Sequence, residues 1–475
     1  MNEMNKIIKI RCLWKKPLRF TKRKKCQDLS NASSRVEKKK ETMKRKMFFF
    51  ERLMYVDGQT PINCIMTTRI HGDIAADDLQ SALKKVQVKH PLLRANVVEE
   101  GSQVYFVFNE NPLEIPVRVV ERKSDEDWRD VTATEWKTPF NMNEGPMVRM
   151  VWIKSEGVSE LMLIGHHCIC DGTSLITIFR EILQVVDQPD VQLTPYPPFQ
   201  SLQDFFPQDV LSDLKMALLV KAKAALLRLF ALTVKAVCPA PPGEHYLIYW
   251  RADAKESAAL VHRCKAEGTT PYAAMCVAFL LAFRQVNGAR FKNRIMCPVD
   301  IRRFISNIRG DEMFNYAPPI PLRIDPRIDP RAGFWDLARR LKQSMSEKIG
   351  RLNAYEHLMV AEELQTSIPK VISFLRKSKG SHDFAFSNVG RLDLPDNYRG
   401  FQVEGLLGVT VAVPWRNATT LITTHFRGRT DIALVSNDRF LPYAEAVAIK
   451  ETAVKLLARA AAVPEVVEPR MAANY

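Results

Sequence analysis

The amino-acid sequence predicts an α/β protein built as two halves joined by a connecting segment. Three observations carry that reading. At 475 residues the chain exceeds the size at which a single hydrophobic core usually keeps growing. Strand-like and helix-like stretches alternate along most of it, the pattern of α/β folds. The alternation breaks once, at the proline-rich segment 188–207, and resumes near Tyr246.

Each element follows from local pattern. Residues 61–70 are apolar and β-branched, which suits a strand. Residues 76–90 set Leu79, Leu83 and Val86 on one helical face, with Asp77 and Asp78 where the helix dipole favours acid and Pro91 as the stop. Strands are expected at 103–108 and 115–120, a short helix at 124–137, and a hairpin of 148–154 with 160–166. Residues 173–186 have helical period, and 209–237 read as one long helix ended by P-A-P-P-G at 239–243. In the second half, 245–251 is a strand and 254–267 a helix; a further helix, 271–286, opens with a proline that a first turn tolerates. Strands at 294–299 and 320–324 precede a helix at 334–348. Strands at 384–386, 405–413, 419–426 and 431–436 and a closing helix at 442–461 complete the series, and no short-period repeat is present. The expected division is a basic tail 1–46, a first half 47–188, a linker with its helix 189–244, a second half 245–462 and a tail 463–475.

The net charge of +16 is local: residues 1–46 hold 17 of the 69 Lys/Arg but four of the 53 Asp/Glu. The body is nearly neutral and offers no phosphate track, so it is not expected to bind nucleic acid. The tail lacks apolar periodicity and is expected to be disordered. An anionic membrane surface, nucleic acid or organelle targeting would each suit it; the preferred reading is a functionless tail or a reading-frame artefact upstream of Met43 or Met47. No apolar run approaches the ~18 residues of a membrane span. Nine cysteines without a secretory signal indicate reduced thiols and a cytoplasmic setting.

The stretch G-H-H-C-I-C-D-G, from Gly165 to Gly172, lies between a strand-like and a helix-like run. An imidazole titrates near working pH and can take a proton from a hydroxyl or amine. An aspartate one turn later can fix the local backbone, and a glycine admits close approach. On these residues alone, a pair of structural histidines with Asp171 as an N-cap is the stronger reading. Metal ligation by His166, His167, Cys168 and Cys170 is disfavoured, because neighbouring strand residues face opposite ways and no second ligand pair is present.

The wider pattern shifts that balance. Residues 79–94 read L-Q-S-A-L-K-K-V-Q-V-K-H-P-L-L-R and residues 139–149 read P-F-N-M-N-E-G-P-M-V-R. Later come P-V-D-I-R from Pro298 to Arg302, M-F-N-Y-A-P-P-I-P-L-R from Met313 to Arg323, and S-N-V-G from Ser387 to Gly390. With H-H-C-I-C-D-G, these segments in this order resemble the chloramphenicol-acetyltransferase-like superfamily over residues 48–461. That superfamily holds alcohol O-acyltransferases, condensation domains of nonribosomal peptide synthetases and polyketide-associated acyltransferases. The D-F-G-W-G signature of the plant branch is absent.

The resemblance implies two chloramphenicol-acetyltransferase-like α/β sandwich halves forming a pseudo-dimer around a central tunnel, in a monomer. It implies His167 as general base, with His166 and Asp171 completing the catalytic motif. Asp171 is expected to point away from substrate and pair with Arg302, with Arg94 in reserve; Gly172 supports the loop. Asn315, Ser387 and Asn388 are expected to line the tunnel. No metal and no permanently bound cofactor are implied. The donor is acyl-CoA or an acyl-phosphopantetheine carrier protein, and the acceptor a small hydrophobic alcohol. Amide formation with an amine acceptor, and a non-catalytic binding relative, are the alternatives. Since no acyl-enzyme is needed, Cys168 and Cys170 read as buried fillers.

The helix within 211–237 carries five basic residues and, after Asp213, no acid. It suits an interfacial helix resting on anionic lipid, or one packed over both halves with its lysines snorkelling outward. The pattern favours the second, with peripheral membrane contact as the other expectation.

Overall fold

The computed structural model describes residues 43–233, 243–324 and 333–462. Residues 1–42, the greater part of the expected basic tail, lie outside these, as do 234–242, 325–332 and the tail 463–475.

In chain order the first half supplies strands β1 (Lys44–Lys46), β2 (Asn63–Gly72), β3 (Ala95–Glu100), β4 (Gln103–Phe108), β5 (Val117–Glu121), β6 (Val148–Lys154) and β7 (Val158–His166). The second half supplies β8 (His245–Ala252), β9 (Ile295–Pro298), β10 (Pro319–Leu322), β11 (Phe384–Arg391), β12 (Phe401–Val411), β13 (Thr420–Phe426) and β14 (Arg429–Asn437). Among the described residues these form three sheets, ordered β1-β4-β3, β12-β2-β7-β6-β5 and β10-β9-β11-β13-β14-β8.

The five-stranded sheet contains the main departure from two self-contained halves. Strand β12, from late in the chain, pairs antiparallel with β2 along its length, from Phe401 opposite Gly72 to Val411 opposite Cys64. Its buried residues Val403, Leu406 and Val409 belong to the core of the first half. Sequence pattern places a strand there but not its sheet, because pairing is a long-range choice.

The two larger sheets are covered by helices. Ala76–Lys89 and Gly172–Asp187 pack together over the first core, through Leu79, Leu83 and Val86 on one and Leu175, Ile178 and Ile182 on the other. The six-stranded sheet is covered by Pro271–Asn287, Phe334–Gly350 and Tyr443–Ala461. Pro271–Arg290 is long and apolar enough to cross a membrane, which the scan for unbroken apolar runs passes over. Its Ala274, Cys276, Val277, Ala278 and Leu280 are fully buried, so here it serves as a core helix.

A third cluster anchors the proline-rich linker. Phe205 is fully buried, with ring centroids 5.6 Å from Phe48 and 5.0 Å from Phe314. The basic segment read as a tail through residue 46 contributes its last residues to the fold. Lys44–Lys46 pairs with β4, and Arg45 forms a buried bidentate pair with Glu51 at 2.7 and 2.9 Å. Charge run alone hides this, since the pairing partner lies in a helix with no periodic signal, Phe49–Tyr55. The long helix expected over 209–237 is broken at Asp213, whose carboxylate caps Leu214–Thr233 by accepting from the N–H groups of Lys215 (2.9 Å) and Met216 (3.1 Å). Residues 234–237 of that expected helix lie outside the described residues.

Candidate active site

Strand β7 carries the apolar run Leu161 to Ile164 into the core and ends at His166. The chain then turns back through residues 167–170 and enters Gly172–Asp187, with Asp171 as N-cap. The fold-back needs a glycine, but at 165. A Cβ there would lie 2.8 Å from Cys170 Sγ, whereas at Gly172 the nearest atom, Val389 Cγ2, is 3.6 Å away. The close approach expected at Gly172 is an ordinary contact, and Gly165 is the position the turn requires.

The two histidines part company by pleat. His166 is fully buried: its Nδ1 accepts from the Cys168 N–H at 3.2 Å and its ring lies edge-on to Phe140, centroids 6.2 Å apart. Burial, helped by the neighbouring His167, pushes its pKa down to about 3, so it stays neutral. Nothing in this setting lets His166 meet a substrate; it is part of the loop's foundation, as is Met147, whose carbonyl accepts from His166 N–H at 2.9 Å.

His167 is half-buried. Its backbone N–H donates to Ile62 O at 2.8 Å, and its Nδ1 lies 2.8 Å from the Cys170 carbonyl oxygen. A carbonyl only accepts, so Nδ1 carries a proton, and in the neutral ring the lone pair is therefore on Nε2. The Asn315 side-chain amide donates to the His167 carbonyl oxygen. Asn315 is 5% exposed, so it acts as a buried brace of His167 rather than a wall of open space.

Asp171 turns away from His167. Its Oδ2 and Oδ1 accept from Arg302 Nη1 and Nη2 at 2.8 and 3.0 Å, and Oδ1 also accepts from Ser174 N–H and Oγ, each at 2.8 Å. Arg302 further donates to Phe314 O at 2.6 Å, Ser174 Oγ at 3.0 Å and Glu312 O at 3.2 Å. Burial opposes the charge on Asp171, but the guanidinium and the Ser174 donors hold its pKa below the ordinary carboxylate value. Arg94, the reserve candidate, sits in the field of Glu110 instead. Cys168 and Cys170 are buried, and both thiols are pushed well up, Cys168 by burial and Cys170 by its neighbour Cys64 and burial. Neither is available as a thiolate.

The other motifs converge on this loop. His90 and Lys89, from the H-P-L-L-R turn, hold Glu181 of the motif helix at 2.7 and 2.6 Å. Phe140 and Met147, from the P-F-N-M-N-E-G-P-M-V-R segment, lie under His166 and Cys168. Val389 meets Gly172, and half-buried Ser387 and exposed Asn388 precede it on β11. Asn388 Oδ1 accepts from Thr423 Oγ1 and Gly390 N–H, both at 3.1 Å. Asn388 lines two cavities, one of 780 Å³ with Tyr272, Asp300 and Arg302, and one of 860 Å³ with Trp250, Met275 and Arg391. His167 and Ser387 line neither. Sequence reasoning missed Ser174, the hydroxyl shared by Asp171, Arg302 and the helix start; its signal was the S three residues after an N-cap aspartate.

Residues 41–207 match the family model described as Condensation domain. Surfactin synthase subunit 1 of Bacillus subtilis (strain 168) is 26% identical over 145 residues, which span 30% of this chain and 4% of that much longer protein. Among solved structures, trichothecene 15-O-acetyltransferase from Fusarium sporotrichioides superposes with a TM-score of 0.65 at 12% identity, covering 88% of this chain and 96% of the other. The chain has the chloramphenicol-acetyltransferase-like condensation fold. Polyketide synthase associated protein 5 from Mycobacterium tuberculosis shares that fold at a TM-score of 0.63 and 16% identity, over 88% of this chain and 98% of its own. Within the condensation fold, the turn bearing His167 joins the five-stranded sheet to the motif helix, and Arg302 and Asn315 reach it from the second half.

Proposed function

We propose that the protein is an acyltransferase that moves an acyl group from a CoA or carrier-protein thioester to an alcohol, with His167 as general base. The observation that carries this is the Nδ1–H bond of His167 to the Cys170 carbonyl, which makes Nε2 the acceptor of the neutral ring. Among the described residues no carboxylate hydrogen-bonds to the ring, since Asp171 is committed to Arg302. In the reaction the acceptor hydroxyl gives its proton to Nε2 as its oxygen attacks the thioester carbonyl. The tetrahedral adduct collapses, the C–S bond breaks, and the departing thiolate takes the proton from the imidazolium and leaves as the free thiol. His167 returns to neutral, and neither a protein nucleophile nor a metal is used. The passage that brings donor and acceptor to Nε2, walled in part by Asn388, belongs to this proposal. Thioester donors of these kinds are cytoplasmic, which is where we place the protein.

The structural neighbour that is an O-acetyltransferase supports an oxygen acceptor. A second reading, amide formation, is supported by the peptide-synthase relatives and the condensation-domain match. One experiment separates them: incubation with a panel of acyl-CoAs and of alcohols and amines, following free thiol and identifying the product by mass. Thiol release that depends on an alcohol and yields an ester is expected. Amine-dependent release with an amide product selects the second reading, and turnover unchanged in His167→Ala overturns the general-base assignment.

A further inference from the structure

The crossing helix Leu214–Thr233 is exposed where a water-facing helix should be polar. Its inner face seats Val220 and Ala224, both buried, against Ala354–Glu363, and Lys223 and Arg228 reach down to Glu356 and Glu363. Its outer face presents Leu214 (78% exposed), Leu218 (69%), Leu226 (68%) and Leu229 (61%), with Leu219 and Leu227 on its margins. Scattered exposed leucines are ordinary, but a continuous row on one helix is a binding surface. The helix carries Lys215, Lys221, Lys223 and Arg228 and no acidic residue.

We infer that this face is a docking surface for an anionic lipid membrane, with the leucines entering the headgroup–acyl boundary and the lysines meeting lipid phosphates. Two observations select lipid over a second copy of the chain. Lys223 and Arg228 are already answered by Glu356 and Glu363, but a symmetric pairing of two such helices would set Lys215 and Lys221 against their copies with no acid on either helix, whereas an anionic surface complements the charge. The chain also enters the fold beside this helix: Lys46, Met47 and Phe48 share a 620 Å³ cleft with Leu211, Ala217, Val220 and Lys221. The 42 residues preceding Met43 hold 14 Lys/Arg and four Asp/Glu, a polybasic segment of the kind that adds attraction to anionic lipid. The helix offers a hydrophobic device, and the sequence that leads into Lys46 offers an electrostatic one, the combination that stable peripheral binding requires. The inference does not depend on the chemistry at His167.

The test is flotation of the full chain with vesicles of phosphatidylcholine mixed with phosphatidylglycerol, and with phosphatidylcholine alone. Binding to the mixed vesicles and much weaker binding to the neutral ones are expected. Leu218→Asp with Leu226→Asp should weaken binding roughly a hundredfold, since burying each leucine contributes on the order of tenfold. Both positions face outward, so circular dichroism and melting temperature should match the parent chain. Three results would overturn the inference: no binding by the parent chain, undiminished binding by the double variant (the basic segment acting alone), or a dimer in light scattering that the double variant dissolves.

Discussion

Removing one partner of the Asp171–Arg302 pair should destabilise the whole fold, and the structure sets the scale. In Asp171→Ala, two guanidinium bonds at 2.8 and 3.0 Å are lost, together with the N-cap of the motif helix on Ser174. Arg302, 5% exposed, keeps the carbonyls of Phe314 and Glu312 and the half-exposed Asp300 carboxylate at 3.1 Å, but loses its buried counter-charge. Breaking such a pair from one side costs about 3–5 kcal/mol, and the cap, at about 1 kcal/mol, shares an oxygen with it and adds little. We expect about 4 kcal/mol for Asp171→Ala and a similar loss for Arg302→Met. The double variant leaves no uncompensated charge and should cost little more than either single change, a coupling of more than about 2 kcal/mol. Guanidinium unfolding followed by tryptophan fluorescence measures all three. Additive losses, or a single-variant cost below about 1 kcal/mol, would refute the account. The sign with pH is fixed as well. The folded-state pKa of Asp171 is depressed, so its contribution is complete above the ordinary carboxylate value and is lost as pH falls through the folded one.

His167→Ala should lower thiol release by about 10²–10⁴ while leaving the unfolding midpoint within experimental scatter, because the half-buried ring makes one side-chain hydrogen bond. His166, with a pKa pushed down to about 3, resists the proton that the unfolded chain accepts near pH 6.5. Stability should fall by roughly 2 kcal/mol between pH 7.5 and pH 5 from this residue, and the slope should flatten in His166→Gln relative to the parent. Equal slopes would remove the assignment of His166 as a buried neutral ring. Gly165→Ala places a Cβ 2.8 Å from Cys170 Sγ and should cost about 1–3 kcal/mol, partly relieved when combined with Cys170→Ala. Asn315→Ala frees the His167 carbonyl and should reduce kcat with KM little changed, whereas a residue that contacts substrate would raise KM.

Local pattern determined the elements wherever one face is apolar. The helix Ala76–Lys89, the strands Gln103–Phe108 and Val148–Lys154, and the helix that closes the second core are all readable from spacing, because burial of one face is what selects the period. The short helices Ala354–Glu363 and Ile368–Lys377 escaped that reading. Their buried residues are few, Leu358, Ile368 and Ile372 among them, and they face a small cluster contributed by distant segments. Strand Ala95–Glu100 ends in exposed acidic residues, which blurs its alternation.

The motif residues were identifiable as a set, and their expected duties came from the family resemblance rather than from the residues by themselves. Two adjacent histidines look alike in one dimension; the pleat at the end of β7 buries His166 and leaves His167 half-open. Arg302 was the partner that the resemblance implied for Asp171, and the fold brings the two to 2.8 Å; Asn315 becomes a brace only because its segment crosses behind the His167 carbonyl. Composition and short-range spacing thus set which segments become helix or strand and which side chains carry chemistry, since those depend on neighbours a few residues away. The exchange of β12 into the first sheet, the tautomer of His167 and the outward row of leucines depend on contacts between residues remote in the chain, and these exist only once the backbone has folded.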